Sequence, residues 1–180
     1  MEAARSLIAE RGFHQTAMAD IAKEAKVSVG AIYRAFENKA DIIHAIVVAD
    51  TEQILGDLNK DAERARKDQT MIGAVLEQII LRRLREGQTP LIHEVLAEGH
   101  RNPRVGETIS SFYLQYRAIF RELALIACPG LSGEELDGAE ELLLAHLFSL
   151  GHRALTQPSL DVEATARIST QMILRALHNQ

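Results

Sequence analysis

The sequence predicts an all-α protein in which three short N-terminal helices precede a larger helical body. Three observations carry this. Apolar residues recur at three- and four-residue intervals through most of the 180 residues, the mark of helices with a buried face. The interruptions fall at helix punctuation, namely Gly12, Gly87 with Pro90, and Cys128-Pro129-Gly130. Between Thr16 and Lys39, two helical patterns too short to stand alone are separated only by Lys26-Val27.

Helix one is expected over 1–11, with Ala4, Leu7, Ile8 and Arg11 at helical spacing and Gly12 as its stop. Thr16 is a candidate N-cap for helix two, whose apolar face would be Met18, Ile21, Ala22 and Ala25. Ser28 is the N-cap candidate for helix three, running through Phe36. Val27, Ile32 and Phe36, with Ala35 on the same side, would close it onto helix two. Two short helices joined by a tight turn are the helix-turn-helix unit, whose second helix enters the DNA major groove. Asn38 and Asp41 form an approximate capping box for a long fourth helix from Lys39, carried by Ile42, Ile43, Ile46, Val47, Ile54, Leu55 and Leu58. Gly56 is a place for it to end or bend, and the mixed-charge stretch 60–69 fits a solvated helix face or a connection.

Residues 71–86 carry an amphipathic helix, and its terminal Arg82, Arg83 and Arg85 suit the negative end of the dipole. A short helix from Pro90 to Glu98 and a turn at 100–103 follow. The helix from about Val105 to Ala127 holds four aromatics within nine residues, Phe112, Tyr113, Tyr116 and Phe120. Core packing accounts for them. The wall of an apolar ligand cavity with tyrosine hydroxyls as polar handles is the sharper reading. Ser132 and Glu135 make a capping box for a helix over about 133–155, and a last helix covers about 160–178. Both carry apolar residues beyond one stripe, which calls for burial on two sides and so for a partner subunit.

The outward side of helix three has the chemistry for DNA. At 100° per residue, Gly30, Tyr33 and Arg34 point away from Ile32 and Phe36. Ser28, Gly30 and Ala31 place small residues at a helix N-terminus, where free N–H groups favour phosphate. Tyr33 offers a hydroxyl to phosphate, Arg34 can fork onto guanine, and Val29 can meet a thymine methyl. Gly30 costs roughly 1 kcal/mol against alanine inside a helix. Close approach of another backbone would justify it. Lys39 faces the positive end of its helix, a position that asks for an anion opposite.

Gly12-Phe13, Thr16, Asp20-Ile21-Ala22, Ala25, Val27-Ser28, Gly30-Ala31-Ile32-Tyr33, Phe36 and Asn38-Lys39 closely resemble the DNA-binding domain of the tetracycline-repressor-like (TetR) family. The resemblance runs from about Ala3 to Ile43; beyond it only length and helical character match. It implies DNA contacts at Thr16, Ser28, Val29, Gly30, Ala31, Tyr33 and Lys39. Family members usually carry a few residues, often basic, ahead of the first helix. Here Met1 already sits within the helical pattern, so no arm contact enters the expectation.

Net charge is −5, which looks wrong for a nucleic-acid binder until its distribution is considered. Between Lys26 and Lys39 there are three basic residues and one acidic one, while Glu134, Glu135, Asp137, Glu140 and Glu141 crowd a later stretch. A locally basic footprint on an acidic protein is compatible with DNA binding. One cysteine, Cys128, excludes a disulfide framework or a cysteine zinc site within one chain. No apolar run is long enough to span a bilayer; Leu142–Leu150 is too short and holds His146. These features favour the cytoplasm. His93 and His100 lie seven apart beside Glu94, and His146 and His152 are further candidates, but no spacing guarantees three convergent groups. No metalloprotease, nucleophile-elbow or phosphate-loop pattern occurs. Catalysis and a cofactor are therefore not expected. His93 or His146 could serve as a hydrogen-bonding group in a ligand pocket.

The expectation is a DNA-binding domain over 1–45 and a helical effector-binding and dimerisation domain over 46–180. The chain would act as a homodimeric, ligand-responsive transcriptional regulator, a repressor on an inverted-repeat operator. DNA would be met at Thr16, Ser28, Val29, Gly30, Ala31, Tyr33, Arg34 and Lys39, and a small apolar molecule at His93, Phe112, Tyr113, Tyr116, Phe120 and His146. A constitutive regulator without effector and a helical protein-interaction module remain the alternatives.

Overall fold

A computed structural model describes residues 1–86, 91–150 and 159–178. Every regular element among them is helical: α1 (Glu2–Arg11), α2 (Met18–Glu24), α3 (Val29–Ala35), α4 (Lys39–Lys67), a 3-10 turn (Gln69–Met71), α5 (Ile72–Glu86), α6 (Leu91–Arg101), α7 (Pro103–Ala127), α8 (Gly133–Leu150) and α9 (Val162–His178). They divide into two compact units. The first is Met1–Gln53 with Gln88–Phe112; the second is Ile54–Gly87 with Tyr113–Gln180. Helices α4 and α7 contribute residues to both.

In the first unit, α1 ends as expected at Gly12, whose φ of 81° suits a residue without a Cβ. Its core joins Leu7 and Ile8 of α1, Met18, Ile21 and Ala22 of α2 and Ile32 of α3 to Ile42, Ile43, Ile46 and Val47 of α4. Val95 of α6 and Val105 of α7 enter the same cluster, and Phe36, Ile109 and Phe112 pack against it. The core therefore reaches well past the three-helix contacts that spacing suggested. Helices α6 and α7 meet through two glycines. A Cβ on Gly106 would stand 2.7 Å from the Gly99 carbonyl oxygen, so the approach needs a glycine there.

Several local expectations are corrected. Thr16 is not the cap of α2; Ala17 holds that position, and the Asp20 carboxylate accepts its N–H at 3.1 Å. Val27 is 46% exposed and Ala25 and Ala35 are exposed too, so Ile32 and Phe36 alone close α3 inward. The turn explains this: Lys26 adopts φ 56°, and the N–H groups of Lys26 and Val27 donate to the carbonyls of Lys23 and Ala22. That is a Schellman motif with lysine at the left-handed position, and it turns Val27 outward. Gly56 neither ends nor interrupts α4, which continues to Lys67 through most of the expected connection. The turn expected at 100–103 is shorter, because α6 runs to Arg101 and α7 begins at Pro103, where a missing N–H costs nothing. Gly87, Pro90, His152 and the expected end of α8 beyond Leu150 lie outside the described residues.

In the second unit, α5 lies along α9, with Gly73 on the contact: a Cβ there would stand 3.5 Å from Leu174. Leu76, Ile80, Leu123, Leu143 and Leu177 are fully buried. Asp61, itself buried, pairs with Arg82 and stands 3.6 Å from Arg64. Arg117 meets Glu140 and Glu141, and Arg121 meets Asp137 and Glu140, tying α7 to α8. Arg66 grips Glu122 with two bonds of 2.7 and 2.9 Å, between α4 and α7.

Candidate nucleic-acid interface

Helix α3 is held by its ends and bare on its outer side. The Ser28 hydroxyl accepts the Ala31 N–H at 3.1 Å, the expected cap. Val29 and Tyr33 are 42% and 53% exposed, and Ser28, Gly30 and Arg34 are exposed with them. Beyond its chain neighbours and the backbone of its own helix, nothing among the described residues lies within 4 Å of where a Gly30 Cβ would stand. The glycine is therefore not required by the protein's own packing. Ala31 is half-buried at the edge of this face.

Thr16 and Lys39 are placed differently. Thr16 is 1% exposed, and its hydroxyl donates to the Gly12 carbonyl at 2.9 Å and to that of Leu7 at 3.4 Å. It ties the end of α1 to the entry of α2. The Lys39 ammonium donates to the carbonyls of Phe13 at 2.6 Å and His14 at 3.3 Å, and stands 4.6 Å from the centre of the Phe13 ring. These acceptors and the ring face supply the negative potential that a cation at a helix N-terminus lacks. The capping box beside it is present: the Asp41 carboxylate accepts from the Glu37 and Asn38 N–H groups, and the Asn38 carbonyl oxygen accepts from that of Asp41.

Polar contacts that spacing gave no sign of fasten α1–α4 to α6 and α7 within the first unit. Arg104 pairs with Asp41 at 2.9 Å, His44 Nε2 meets the Thr108 hydroxyl at 2.8 Å, and Arg101 approaches His14 Nε2 at 3.1 Å. Only the three-dimensional approach of distant segments makes such pairs, so nothing local announces them.

The candidate ligand residues separate into groups. His93 is exposed on α6 and Phe112 packs against the core of the first unit. In the second unit Tyr113 and Tyr116 come together edge to face at 6.2 Å. Phe148 of α8, which spacing did not single out, stacks on Tyr113 at 4.9 Å and meets Tyr116 edge-on at 5.9 Å. Phe120 is buried one turn beyond Tyr116. His146 precedes Phe148 by two residues, about 200° round the helix, and so leaves α8 on another flank. Its Nε2 is buried without a hydrogen-bond partner, and burial pushes its pKa below 6.5. Among the described residues no group of three or more potential ligands converges for a metal, and no helix is long and apolar enough to cross a membrane.

Comparison with known proteins agrees with this geometry. A profile described as "Bacterial regulatory proteins, tetR family" matches residues 1–46. The chain is 31% identical over 114 residues to the HTH-type transcriptional regulator UidR of Escherichia coli (strain K12), covering 63% of this chain and 57% of UidR. It thus spans less than two thirds of that curated relative. The structure of Salmonella enterica GusR is similar, at 25% identity and a TM-score of 0.61, over 97% of this chain and 92% of that one. The fold is also that of FadR from Bacillus subtilis, solved in complex with stearoyl-CoA, with 20% identity, a TM-score of 0.73 and coverage of 98% and 97%. UidR and FadR are both named as transcriptional regulators. Residues 1–46, a helix-turn-helix with this core, match the DNA-binding domain of the tetR family of bacterial regulatory proteins, and the chain as a whole is similar in sequence or fold to regulators of that kind.

Proposed function

We propose that the protein is a homodimeric transcriptional repressor that binds an inverted-repeat operator and leaves it when a small molecule occupies the larger domain. Residues 1–45 are the DNA-binding domain and 46–180 the effector-binding and dimerisation domain. The observation that carries the reading is the outer side of α3, capped and braced from within while Val29, Gly30, Tyr33 and Arg34 are exposed. Each α3 enters one major groove, with half-sites about 34 Å apart. Arg34 and Val29 read base edges; Tyr33, Ser28 and the backbone at Gly30 and Ala31 hold phosphate.

Exposed apolar side chains on α8 and α9, Leu142, Ile168 and Met172, support pairing of these helices with their symmetry mates. The stearoyl-CoA complex of FadR supports an effector with an apolar part, received in the second unit around Tyr113, Tyr116 and Phe120. A ligand that prefers the state unable to span both half-sites must weaken DNA binding by the same factor that DNA weakens its own binding. The place of action is the cytoplasm.

Selection from random duplex DNA tests the reading. Enrichment of an inverted repeat, with affinity falling steeply as salt rises, is the expected result. On the selected site, Tyr33→Phe lowers affinity for all sequences, whereas Arg34→Ala and Val29→Ala change sequence preference. Absence of enrichment at low salt overturns the proposal and leaves the helix-turn-helix as a protein-interaction module.

A further inference from the structure

The first unit leaves some of its side-chain cations without a counter-charge, and all of these lie in the helix-turn-helix. Arg5, Arg11 and Arg104 pair with the carboxylates of Asp50, Glu10 and Asp41. Arg101 meets His14, and Lys39 is held by the Phe13 and His14 carbonyls. Lys23, Lys26 and Arg34 are exposed and have no hydrogen-bond or carboxylate partner for their charged groups among the described residues. A chain of net charge −5 thus carries uncompensated positive charge together on α2, the turn and α3, the footprint of a polyanion site.

Lys26 is the least expected of these cations. It is the one residue other than glycine with a positive φ among the described residues, at 56°. The turn needs that conformation: the N–H groups of Lys26 and Val27 donate to the Lys23 and Ala22 carbonyls at 3.1 and 3.0 Å. It does not need a lysine. The left-handed region crowds any Cβ, and glycine or asparagine enters it more readily. No side-chain contact offsets that cost, because the ammonium is exposed and unpartnered. The fold accounts for the backbone at this position and leaves the charge unexplained. Every residue from Lys23 to Gly30 is exposed, so the open surface runs without a break from Lys26 into α3.

We infer that the Lys26 ammonium holds a phosphate of the DNA duplex, at the rim of the groove that α3 enters. The inference rests on the proposed DNA-binding role and deepens it by adding the α2–α3 turn to the contact surface. A compact ammonium on a flexible stem suits a phosphate, which accepts a point charge from many directions. A phosphate contact carries no base-edge information, so Lys26 adds grip and leaves the choice of sequence to α3. Its place two residues ahead of the Ser28 cap ties that grip to the start of the reading helix.

Anisotropy titration of the full chain over a series of salt concentrations tests this, on the operator selected from random DNA and on an arbitrary duplex of equal length. Lys26→Gly is the informative variant, because it removes the charge and relieves the backbone together. Its unfolding midpoint should stay level or rise by about 2–4 °C, which shows that it is folded. Its affinity should fall by about 10- to 100-fold at about 0.1 M salt for a complex of two subunits, equally on both duplexes. The slope of log affinity against log salt should become shallower by about 0.9 for each subunit. Lys26→Arg should keep the wild-type slope. An unchanged slope in Lys26→Gly, a loss confined to the selected operator, or a Lys26→Arg slope like that of the glycine variant overturns the inference and leaves the DNA-binding reading standing. A lowered midpoint in Lys26→Gly also overturns it, since the fold would then have a use for the lysine side chain. Should selection yield no operator, the operator reading fails and the slope on the arbitrary duplex still decides the inference. A wild type that binds no duplex even at low salt overturns both.

Discussion

Replacing Gly30 by alanine should strengthen the protein and weaken its grip on DNA. Gly30 is the second residue of α3, exposed, with its φ outside the left-handed region. Beyond its chain neighbours and the backbone of its own helix, no atom among the described residues lies within 4 Å of the added methyl. Alanine in a helix interior is favoured over glycine by about 0.8–1 kcal/mol. So close to the start of a seven-residue helix the gain is smaller, about 0.5 kcal/mol. For a unit of this size that raises the unfolding midpoint by about 2–4 °C. On the proposed reading, the same methyl has to be accommodated where the backbone of α3 meets the duplex. Overpacking a close contact costs about 1–3 kcal/mol, or roughly 5- to 150-fold in affinity. Circular dichroism on heating gives the first quantity and anisotropy titration on the selected operator gives the second. A lowered midpoint would show that the space above Gly30 is not open. A raised midpoint with unchanged affinity would remove Gly30 from the DNA interface.

Gly106→Ala should destabilise more than Gly99→Ala, although the built contacts are nearly equal at 2.7 and 2.6 Å. The first meets a backbone oxygen and the second the end of the Ile109 side chain, which can turn away. Gly106→Ala is expected to lose about 1–2 kcal/mol after the helix-propensity gain, and Gly99→Ala to stay near zero; chemical denaturation yielding the reverse order would show that the α6–α7 backbones give way. Ser28→Ala removes the cap of α3 and should lower stability by about 1 kcal/mol, an effect absent if water serves the Ala31 N–H equally well. His146 resists protonation in the folded state because burial lowers its pKa, while the unfolded chain protonates near 6.5. Stability from this residue is full above that value and is lost as pH falls through it, until the folded pKa is passed. The stability of the wild type relative to His146→Gln should therefore decline as pH falls below 6.5, and a difference that stays flat on acidification through that value would disprove the assignment.

The parts of the fold that were legible are those set by local patterns. Gly12 stops α1, Ser28 caps α3 and the Asn38–Asp41 box opens α4, because each depends on residues within one turn. The turn between α2 and α3 was misjudged because Lys26, not a glycine, takes the left-handed position and turns Val27 out. Gly56 was overrated as a breaker: a single glycine costs a helix about 1 kcal/mol, and burial of Leu55, Leu58, Ala62 and Ala65 along α4 outweighs it. At the candidate interface the exposed face of α3 followed from periodicity. The Tyr113–Phe148 stack did not, since it depends on which helices become neighbours.

Thr16 and Lys39, which the resemblance implies as DNA contacts, serve the scaffold in this structure. The Thr16 hydroxyl has one proton, and it is directed at carbonyls inside the unit. The Lys39 ammonium has three; two are directed at the Phe13 and His14 carbonyls and one remains for an outside acceptor. A phosphate near Lys39 would therefore bind to a charge already fixed by the loop between α1 and α2, with little side-chain entropy left to lose. Thr16, 1% exposed as a whole residue, presents neither its hydroxyl nor its backbone to an outside group, against the expectation that it meets DNA. Substitutions at these two positions alter stability and binding together, because the loop they hold positions α2 and, through the α2–α3 turn, the whole of α3. On the proposed reading, substitutions at Val29, Tyr33 and Arg34, which are exposed and have no partner of that kind among the described residues, alter binding alone. On the proposed reading, a surface of exposed side chains on one short helix, set by the buried Thr16 and the half-buried Lys39, can change its sequence preference without endangering the fold that presents it.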